Sequence, residues 1–374
     1  MTKNTKIILG VVVLVIVILI IVFYEPTEKG AIKIGFIGPL TGDVASYGQS
    51  EKNAVKLAIS EINLKGGING KKVEVIYEDG KCNGKEAATA AQKLINIDKV
   101  KIILGGACSG ETLGAAPITQ AEKVILFSSF ASSPDITEIG DYVFRNMVSD
   151  LDGGRDVAKM IREKTVASLV ENTEYSQTLE NVFEQEFQKL GGNVLVKETY
   201  NPNEKDYRTQ ILKIKAKNPE AIFINCQSGI SGGLAAKQIR EMGVEIPLYS
   251  VIVFSGDDAL NAAGVAANGI IFSDAPGLSK NNLQAVEFLN NYKQKYGEPA
   301  NEYIIGARYD SVYILKNAIK RCSEDTDCIK DFLYNMPEYK GIIGNYRFDK
   351  NGDVIGIHYI VKKVVDGKPI ELSQ

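Results

Sequence analysis

The chain alternates between short apolar runs and amphipathic stretches over most of its length. Runs rich in β-branched residues predict eight strands, at 32–37, 73–77, 101–104, 124–127, 166–170, 194–199, 221–224 and 247–251. Between them, apolar residues recur every three or four positions and predict helices around 54–62, 87–95, 182–190 and 234–242. The first of these helices should end before Gly66 and Gly67. Such alternation with short loops is typical of parallel sheets with helices on both faces.

This pattern runs twice and then changes. One series of strands and helices covers about 30–150, and a second covers about 150–275. The remainder has long helices and short late strands, at 283–296, 303–320, 346–348 and 355–361. We therefore predict an α/β protein with two lobes, in which the chain crosses back between the lobes near its C-terminus.

The N-terminus contains an uninterrupted apolar run. Residues 7–23 are 17 positions without a charge, and Lys3 and Lys6 precede them. As a helix the run would be about 25 Å long, close to a bilayer core of roughly 30 Å, and cations before it favour export of the residues after it. A cleaved signal peptide is the alternative, but its apolar region is only about 7–15 residues and ends in small residues. We expect residues 1–29 to form a single-pass anchor in the cell membrane, with the rest extracellular or periplasmic.

Composition narrows the functional classes. Lys plus Arg number 43 and Asp plus Glu number 46, and this near balance argues against a nucleic-acid partner. The single histidine, His358, argues against zinc sites and leaves serine or cysteine nucleophiles without a base. We expect no metal, no cofactor and no catalysis. The alternative function as an enzyme is an exported hydrolase with Ser109 or Ser132 as nucleophile. This alternative is disfavoured because a histidine base for the serine is missing.

The cysteines fit an oxidising compartment, where five thiols suggest two bridges and one free thiol. Cys322 and Cys328 are six positions apart in a polar segment and can close a small loop. Cys82 and Cys108 each follow a predicted strand, and neighbouring parallel strands would make a bridge between them feasible. Cys226 ends another predicted strand, and we interpret it as a buried thiol rather than a nucleophile.

Glycine and serine crowd three loops that follow predicted strands, at 38–48 (GPLTGDVASYG), 105–112 (GGACSGET) and 128–134 (SSFASSP). In open α/β sheets, ligands bind beyond the carboxyl ends of the strands, where N–H groups at helix N-termini suit carboxylates and other oxygen-rich groups. Ser109 and Ser132 could each be a helix N-cap instead. Three such loops at one sheet edge favour a ligand site, and neither familiar nucleotide-binding signature is present.

Three stretches together resemble the branched-chain amino-acid binding proteins of ABC importers, which are type I periplasmic binding proteins: 37–48, 66–72 (GGINGKK) and 77–82 (YEDGKC). The resemblance runs through about 32–362. It implies two Rossmann-like parallel-sheet lobes, joined by a multi-strand hinge, that close on a ligand. We expect one lobe from 30–149 with 277–349 and the other from 150–276 with 350–374.

The resemblance also implies particular contacts. Its first-lobe disulfide falls on Cys82 and Cys108. Its ligand shell corresponds to Tyr47, Ser109, Phe130, Ala131 and Ser132 in the first lobe and to Tyr175 in the second. Gln227 stands where the family has an aromatic side chain, so we include it in the expected site.

One departure from the family bears on the ligand. In the amino-acid binders an acid just after the strand at 247–251 neutralises the ligand ammonium, whereas this chain has Ile252 and Val253 there. A buried ammonium without a counter-charge is costly. Either another acid reaches the site, with Asp274 and Asp310 as candidates, or the ligand is an amide, a urea-like compound or an organic acid.

The resemblance therefore implies a solute-binding component of an ABC importer, with a small polar or amphipathic ligand and the permease subunits as partners. The alternative is a ligand-sensing receptor domain for a membrane signalling partner. The residues before the apolar run, 1–6, are too few to carry a signalling domain.

Overall fold

The computed structural model describes residues 30–372, which fold around two large sheets. The strands of the first sheet are β1 (Ile32–Gly38), β2 (Val73–Asp79), β3 (Ile102–Leu104), β4 (Ile125–Ser128) and β5 (Val143–Arg145). They pair in parallel in the order β2-β1-β3-β4-β5. This sheet order places the carboxyl ends of β1, β3 and β4 side by side, so the glycine- and serine-rich loops leave one edge.

The second sheet begins with five parallel strands, β6 (Thr165–Glu171), β7 (Asn193–Tyr200), β8 (Ala221–Asn225), β9 (Leu248–Ser250) and β10 (Ile271–Asp274). A small sheet comes next along the chain, with β11 (Tyr339–Lys340), β12 (Asn345–Phe348) and β13 (Val354–Ile355). The last strands, β14 (Ile360–Val365) and β15 (Lys368–Glu371), then extend the second sheet to the order β15-β14-β10-β9-β8-β6-β7.

Two sequence predictions are wrong at this end of the chain. The strand expected at 355–361 is interrupted, because Gly356 takes a φ of +107° and pairing resumes only at Ile360. The second sheet is also mixed rather than parallel, since β14 runs antiparallel to both β10 and β15. The remaining α/β organisation, with eight strands at the predicted places, is confirmed.

The helices of the described chain are α1 (Ala45–Leu64), α2 (Gly84–Asn96), α3 (Ser109–Ala121), α4 (Asp150–Met160), α5 (Glu174–Lys189), α6 (Arg208–Ala216), α7 (Gly229–Glu241), α8 (Asp257–Ala263), α9 (Leu283–Tyr296), α10 (Glu302–Cys322) and α11 (Thr326–Tyr334). Local signals set several boundaries. α1 ends before Gly66 and Gly67, which both have positive φ. α5 begins earlier than predicted, because the Thr173 hydroxyl accepts the N–H of Ser176 and caps the helix.

Helix α10 brings the chain back to the first sheet and buries an ion pair there. Arg308 and Glu51 are both fully buried, and the Arg308 Nη2 to Glu51 Oε1 distance is 2.9 Å. Arg308 Nη1 also donates to the Phe127 carbonyl oxygen at 2.9 Å. The pair therefore connects α1 and α10 to the end of β4, directly before one of the serine-rich loops.

The predicted membrane anchor at 7–23 lies outside the described residues. Among the helices of residues 30–372, none combines the length and the apolar character that a membrane crossing requires.

Both predicted disulfides are present. Cys82 and Cys108 are bridged with a Cα–Cα distance of 5.3 Å, and Cys322 and Cys328 with a distance of 5.6 Å. Cys226 is free and buried, and burial holds the pKa of its thiol well above the usual value.

This cysteine arrangement predicts a simple thiol count. The native protein should show no reactive thiol, because Cys226 is buried and the other cysteines are bridged. Denaturation without reductant should expose one thiol, and reduction should expose all five. A thiol-reactive chromophore measures each count, and three thiols after unreduced denaturation would contradict one of the bridges.

Candidate functional site

A cavity lies between the loops of the two sheets. The loops after β3 and β4 supply Ala107, Cys108, Ser109, Phe130 and Ser132. The second sheet and its helices supply Tyr175, Leu179, Gln227, Ile252, Val253 and Ser273, and the crossing segments supply Met147, Asp150, Gly153 and Tyr359. Loops at the carboxyl ends of two sheets thus face each other across an enclosed space, which is the arrangement in which α/β proteins bind small molecules.

The structure brings most of the predicted site residues together. Those that line the cavity are Ser109, Phe130, Ser132, Tyr175 and Gln227. Tyr47 lies behind the wall, where its ring stacks on Phe130 with a centroid separation of 5.1 Å. Ala131 is buried, and its N–H donates to Ser128 Oγ at 3.1 Å. Tyr47 and Ala131 therefore support the cavity wall rather than form it.

Ser109 stands at the first position of α3, and its bonds leave a donor for a ligand. Its Oγ accepts the N–H groups of Ser132 at 3.3 Å and Ser133 at 3.2 Å. The hydroxyl proton remains available, because a serine hydroxyl is a donor as well as a double acceptor. The first N–H groups of a helix have no partner within the helix. This corner of the cavity suits a carboxylate or carbonyl oxygen.

The loop that carries Ser109 is held in place by a buried carboxyl group and the disulfide. Glu111 accepts the N–H of Cys82 at 2.9 Å and the N–H of Cys108 at 3.1 Å. Burial raises the pKa of Glu111 to about 7, although these N–H bonds favour its charged form. The bridge between Cys82 and Cys108 closes the same loop, so the N-terminus of α3 keeps a fixed position at the cavity edge.

Asp150 is the acidic residue on the cavity wall. It is 1% exposed, and its Oδ2 accepts the Ser132 hydroxyl at 2.9 Å. Its Oδ1 lies on the Gly153 side, 3.1 Å from the position that a Cβ on Gly153 would take. Burial raises the pKa of Asp150 to about 7, while Ser132, Arg145 and Tyr359 act in the opposite direction.

The two acids proposed from the sequence lie elsewhere, so that prediction is wrong. Asp274 pairs with Lys362, with 2.6 Å between Oδ2 and Nζ, and it lines a separate crevice. Asp310 accepts the N–H groups of Ile342 and Ile343 within the first-sheet core. Both carboxyl groups are used by the protein's own donors.

The cavity wall is amphipathic and carries no basic side chain. No Lys, Arg or His is among its lining residues. Its donors and acceptors are the hydroxyls, the Gln227 amide, the Asp150 carboxyl and backbone groups, whereas Leu179, Ile252 and Val253 supply an apolar surface. Within residues 30–372 no group of three or more His, Cys, Asp or Glu side chains is placed to hold a metal ion. A small amphipathic molecule fits this chemistry.

Sequence reasoning missed Asp150, Met147 and Tyr359. Asp150 and Met147 come after β5, a three-residue strand that the apolar pattern did not predict, so the loop at its carboxyl end was missed as well. The one available signal was Ser149 before Asp150, which is typical of a helix start and indeed caps α4. Tyr359 reaches the cavity from the segment before β14, and nothing local marks it.

The chain is similar to known proteins over most of its length. The model of a family described as "Periplasmic binding protein" matches residues 31–368. The chain is 26% identical, over 88% of its length and 89% of the relative, to the leucine-, isoleucine-, valine-, threonine- and alanine-binding protein of Pseudomonas aeruginosa.

Two solved structures are similar over most of the chain. One is a branched-chain amino-acid transporter substrate-binding protein from Streptococcus pneumoniae in complex with isoleucine, at 27% identity and a TM-score of 0.81, covering 91% of this chain and 100% of that one. The other is a solute-binding protein of an ABC transporter from Rhodopseudomonas palustris in complex with 3,4-dihydroxybenzoic acid, at 27% identity and a TM-score of 0.81, covering 92% and 97%.

Proposed function

Because this chain belongs to the periplasmic binding protein family, we propose that it is the extracytoplasmic solute-binding component of an ABC importer. The resemblance of its sequence to the branched-chain amino-acid binding proteins is confirmed. One observation carries the proposal: the enclosed cavity whose walls come from the facing carboxyl-end loops of two separate sheets.

Capture occurs by hinge closure between two lobes. Residues 30–149 with 277–349 form the lobe of the first sheet together with β13, which pairs with β12, and residues 150–276 with 356–372 form the lobe of the second. A solute first meets Ser109 and the N-terminus of α3, and rotation about the crossing segments then brings Tyr175 and Gln227 over it. The closed form is the one delivered to the permease, and closure excludes water from the solute.

The solute is a small amphipathic compound with a nitrogen that donates hydrogen bonds, such as an amino acid or an amide. Asp150 supports this class, since its carboxylate can accept a hydrogen bond from a ligand nitrogen. The lining residues include no cation that would neutralise a ligand with only a negative charge. Ser109 and the α3 N-terminus accept the oxygen end, and Leu179, Ile252 and Val253 accept the apolar part. An organic acid is the second class, because the similar Rhodopseudomonas palustris protein holds an aromatic acid.

Residues 7–23 anchor the protein in the cell membrane as a single span. The anchor keeps the binding lobes beside the permease and so raises their effective concentration there. The seventeen uncharged positions behind Lys3 and Lys6 support this part of the proposal.

A thermal-shift screen tests the function. The purified protein is heated with amino acids, amides, urea, small organic acids and 3,4-dihydroxybenzoic acid. A true ligand at 100 times its dissociation constant should add about 2.7 kcal/mol to the free energy of unfolding. We expect the largest shift from an amphipathic amino acid or amide.

Matched variants locate the binding. Ser109→Ala should remove most of the shift given by the best compound, whereas Ser279→Ala, a change outside the cavity lining, should leave it intact. No shift with any of these compounds would count against solute binding, and a shift unaffected by Ser109→Ala would place the ligand elsewhere.

A further inference from the structure

The segment after β1 makes contacts with the second-sheet side at two separate points outside the cavity. We call this segment, residues 41–47, the closing segment. The Asp43 carboxylate and the Lys205 ammonium are 2.5 Å apart, and Lys205 lies in the loop after β7. The Ser46 hydroxyl donates to Asp258 Oδ2 at 2.5 Å, and Asp258 lies in α8. None of these four side chains lines the cavity.

The closing segment is fixed to its own sheet. Asp79, at the end of β2, accepts the N–H of Leu40 at 2.9 Å and the hydroxyl of Thr41 at 2.6 Å. These bonds hold the pKa of Asp79 below its usual value. The segment therefore moves with the first sheet as one body.

Its partners are fixed to the second sheet. The Lys205 carbonyl oxygen accepts the Gln238 amide of α7 at 2.7 Å. Asp258 comes after the short turn of Ile252–Ser255, which carries the cavity-lining residues Ile252 and Val253. A contact to Asp258 thus restrains the part of the second-sheet side that covers the ligand.

A third close approach lies next to the Ser46 contact. The Tyr47 hydroxyl is 3.2 Å from the position that a Cβ on Gly256 would take, so the first turn of α1 abuts the loop before α8. At the opposite end of the segment, Ser228 Oγ donates to the Asp43 carbonyl oxygen at 3.4 Å. The contacts at both ends cross from one sheet to the other and involve no ligand-binding side chain of the first sheet.

We propose that the closing segment holds the two lobes together through Asp43 and Ser46, so that the closed form has stability of its own and these residues set how long a solute is retained. The inference rests on the hinge closure of the proposed function. The contact at Ser46 carries most of the effect because it is partly buried and charge-assisted. The Asp43–Lys205 pair is more exposed, with 28% and 51% of the side chains accessible, so salt screens it.

The test measures the distance between the lobes in the full-length protein, after bound solute has been removed by unfolding, dialysis and refolding. Nitroxide labels at positions 97 and 190 report the distance, since Ile97 and Leu190 are 72% and 60% exposed and lie beyond α2 and α5. We expect a closed distance to be populated in the wild type without ligand. Ser46→Ala and Asp258→Asn should each lower the closed-to-open ratio about tenfold, which is about 1.4 kcal/mol.

The exposed pair has its own matched control. Lys205→Ala should lower the closed-to-open ratio about threefold at low salt and less at high salt. Lys213→Ala breaks a similar pair with Glu198, 2.8 Å long, that lies within the second-sheet side, and it should change nothing. Exchange of the charges in Asp43→Lys with Lys205→Asp should restore the ratio.

The outcomes separate this inference from the proposed function. A single distance in every variant, both without ligand and with a compound that gives a thermal shift in the screen described above, would overturn hinge closure itself. Two other results would overturn only the proposed role of the closing segment. One is two distances whose populations are the same in the wild type, Ser46→Ala and Asp258→Asn, and the other is a ligand-free wild type that is entirely open.

Discussion

Replacement of Asp150 by asparagine should lower the affinity for an amino-acid or amide ligand about 100-fold. Asp150 is the one carboxyl group among the lining residues of the cavity, and Ile252 and Val253 give the same wall an apolar surface. Asparagine keeps the size of the side chain and an oxygen for Ser132, so the change removes the charge and little else. Isothermal titration with the best compound of the thermal-shift screen measures the loss.

Asp152 offers a matched control for this variant. It lies in the same first turn of α4, and 60% of its side chain is exposed. Asp152→Asn should leave the affinity within about twofold, because exposed charges contribute little. If Asp150→Asn binds the ligand as tightly as the wild type, the carboxyl group is not the ligand's partner and the organic-acid class gains support.

If Asp150 binds the ligand nitrogen, the affinity should change with pH in one direction. The pKa of Asp150 is about 7 in the ligand-free fold. A ligand nitrogen that donates to the carboxylate requires it to be deprotonated, so affinity should rise as the pH rises through the pKa of about 7 and level off about one pH unit above it. The charged and titratable groups that face Asp150 are Arg145, Tyr175 and Tyr359, and both tyrosines have pKa values well above 10.

Glu111 also titrates in this range, as does Glu180 next to the lining residue Leu179, since the pKa of each is about 7. Glu111 lies beneath the α3 N-terminus rather than on the wall, and a profile that becomes flat in Asp150→Asn would assign the dependence to Asp150. An affinity that instead falls as the pH rises through 7 would indicate a protonated Asp150 that donates to a carboxylate ligand.

Replacement of Arg308 by methionine should lower the free energy of unfolding by about 3–5 kcal/mol. The change removes the only cation that pairs with Glu51 among the described residues, and it leaves that carboxylate buried. It also removes one of two donors to the Phe127 carbonyl oxygen at the end of β4, which still accepts the N–H of Gly105. Urea denaturation followed by circular dichroism measures the loss.

Two further measurements identify the cause as the uncompensated charge. Burial already raises the pKa of Glu51, and Arg308 counteracts this rise, so Arg308→Met should raise the pKa further. With a raised pKa, Glu51 of the variant takes up a proton when the pH is lowered, and the buried charge disappears. The loss of unfolding free energy should therefore be smaller at pH 5 than at pH 8. The double variant with Glu51→Met should recover much of the stability, and a double variant that loses the sum of both effects would rule out this cause.

Strand length and strand direction decide which elements could be predicted. The strands of both sheets up to 251, with the exception of β5, and the end of α1 at Gly66 were predictable, because apolar spacing and glycine are local signals. β5 and β10 were missed, since a strand of three or four residues gives too short a pattern. The antiparallel pairing of β14 was missed because strand direction depends on the path of the whole chain.

The order of strands and helices, the glycine- and serine-rich loops and the Cys322–Cys328 disulfide follow from the sequence by itself, because each depends on residues close together along the chain. The Cys82–Cys108 pairing was implied by the family resemblance. Only the tertiary structure decided that Asp150 rather than Asp274 faces the cavity, and that Tyr47 supports Phe130 from behind. These facts depend on how loops that are distant along the chain pack against each other, and that packing is set by the complementary shapes and charges of surfaces that no local pattern describes.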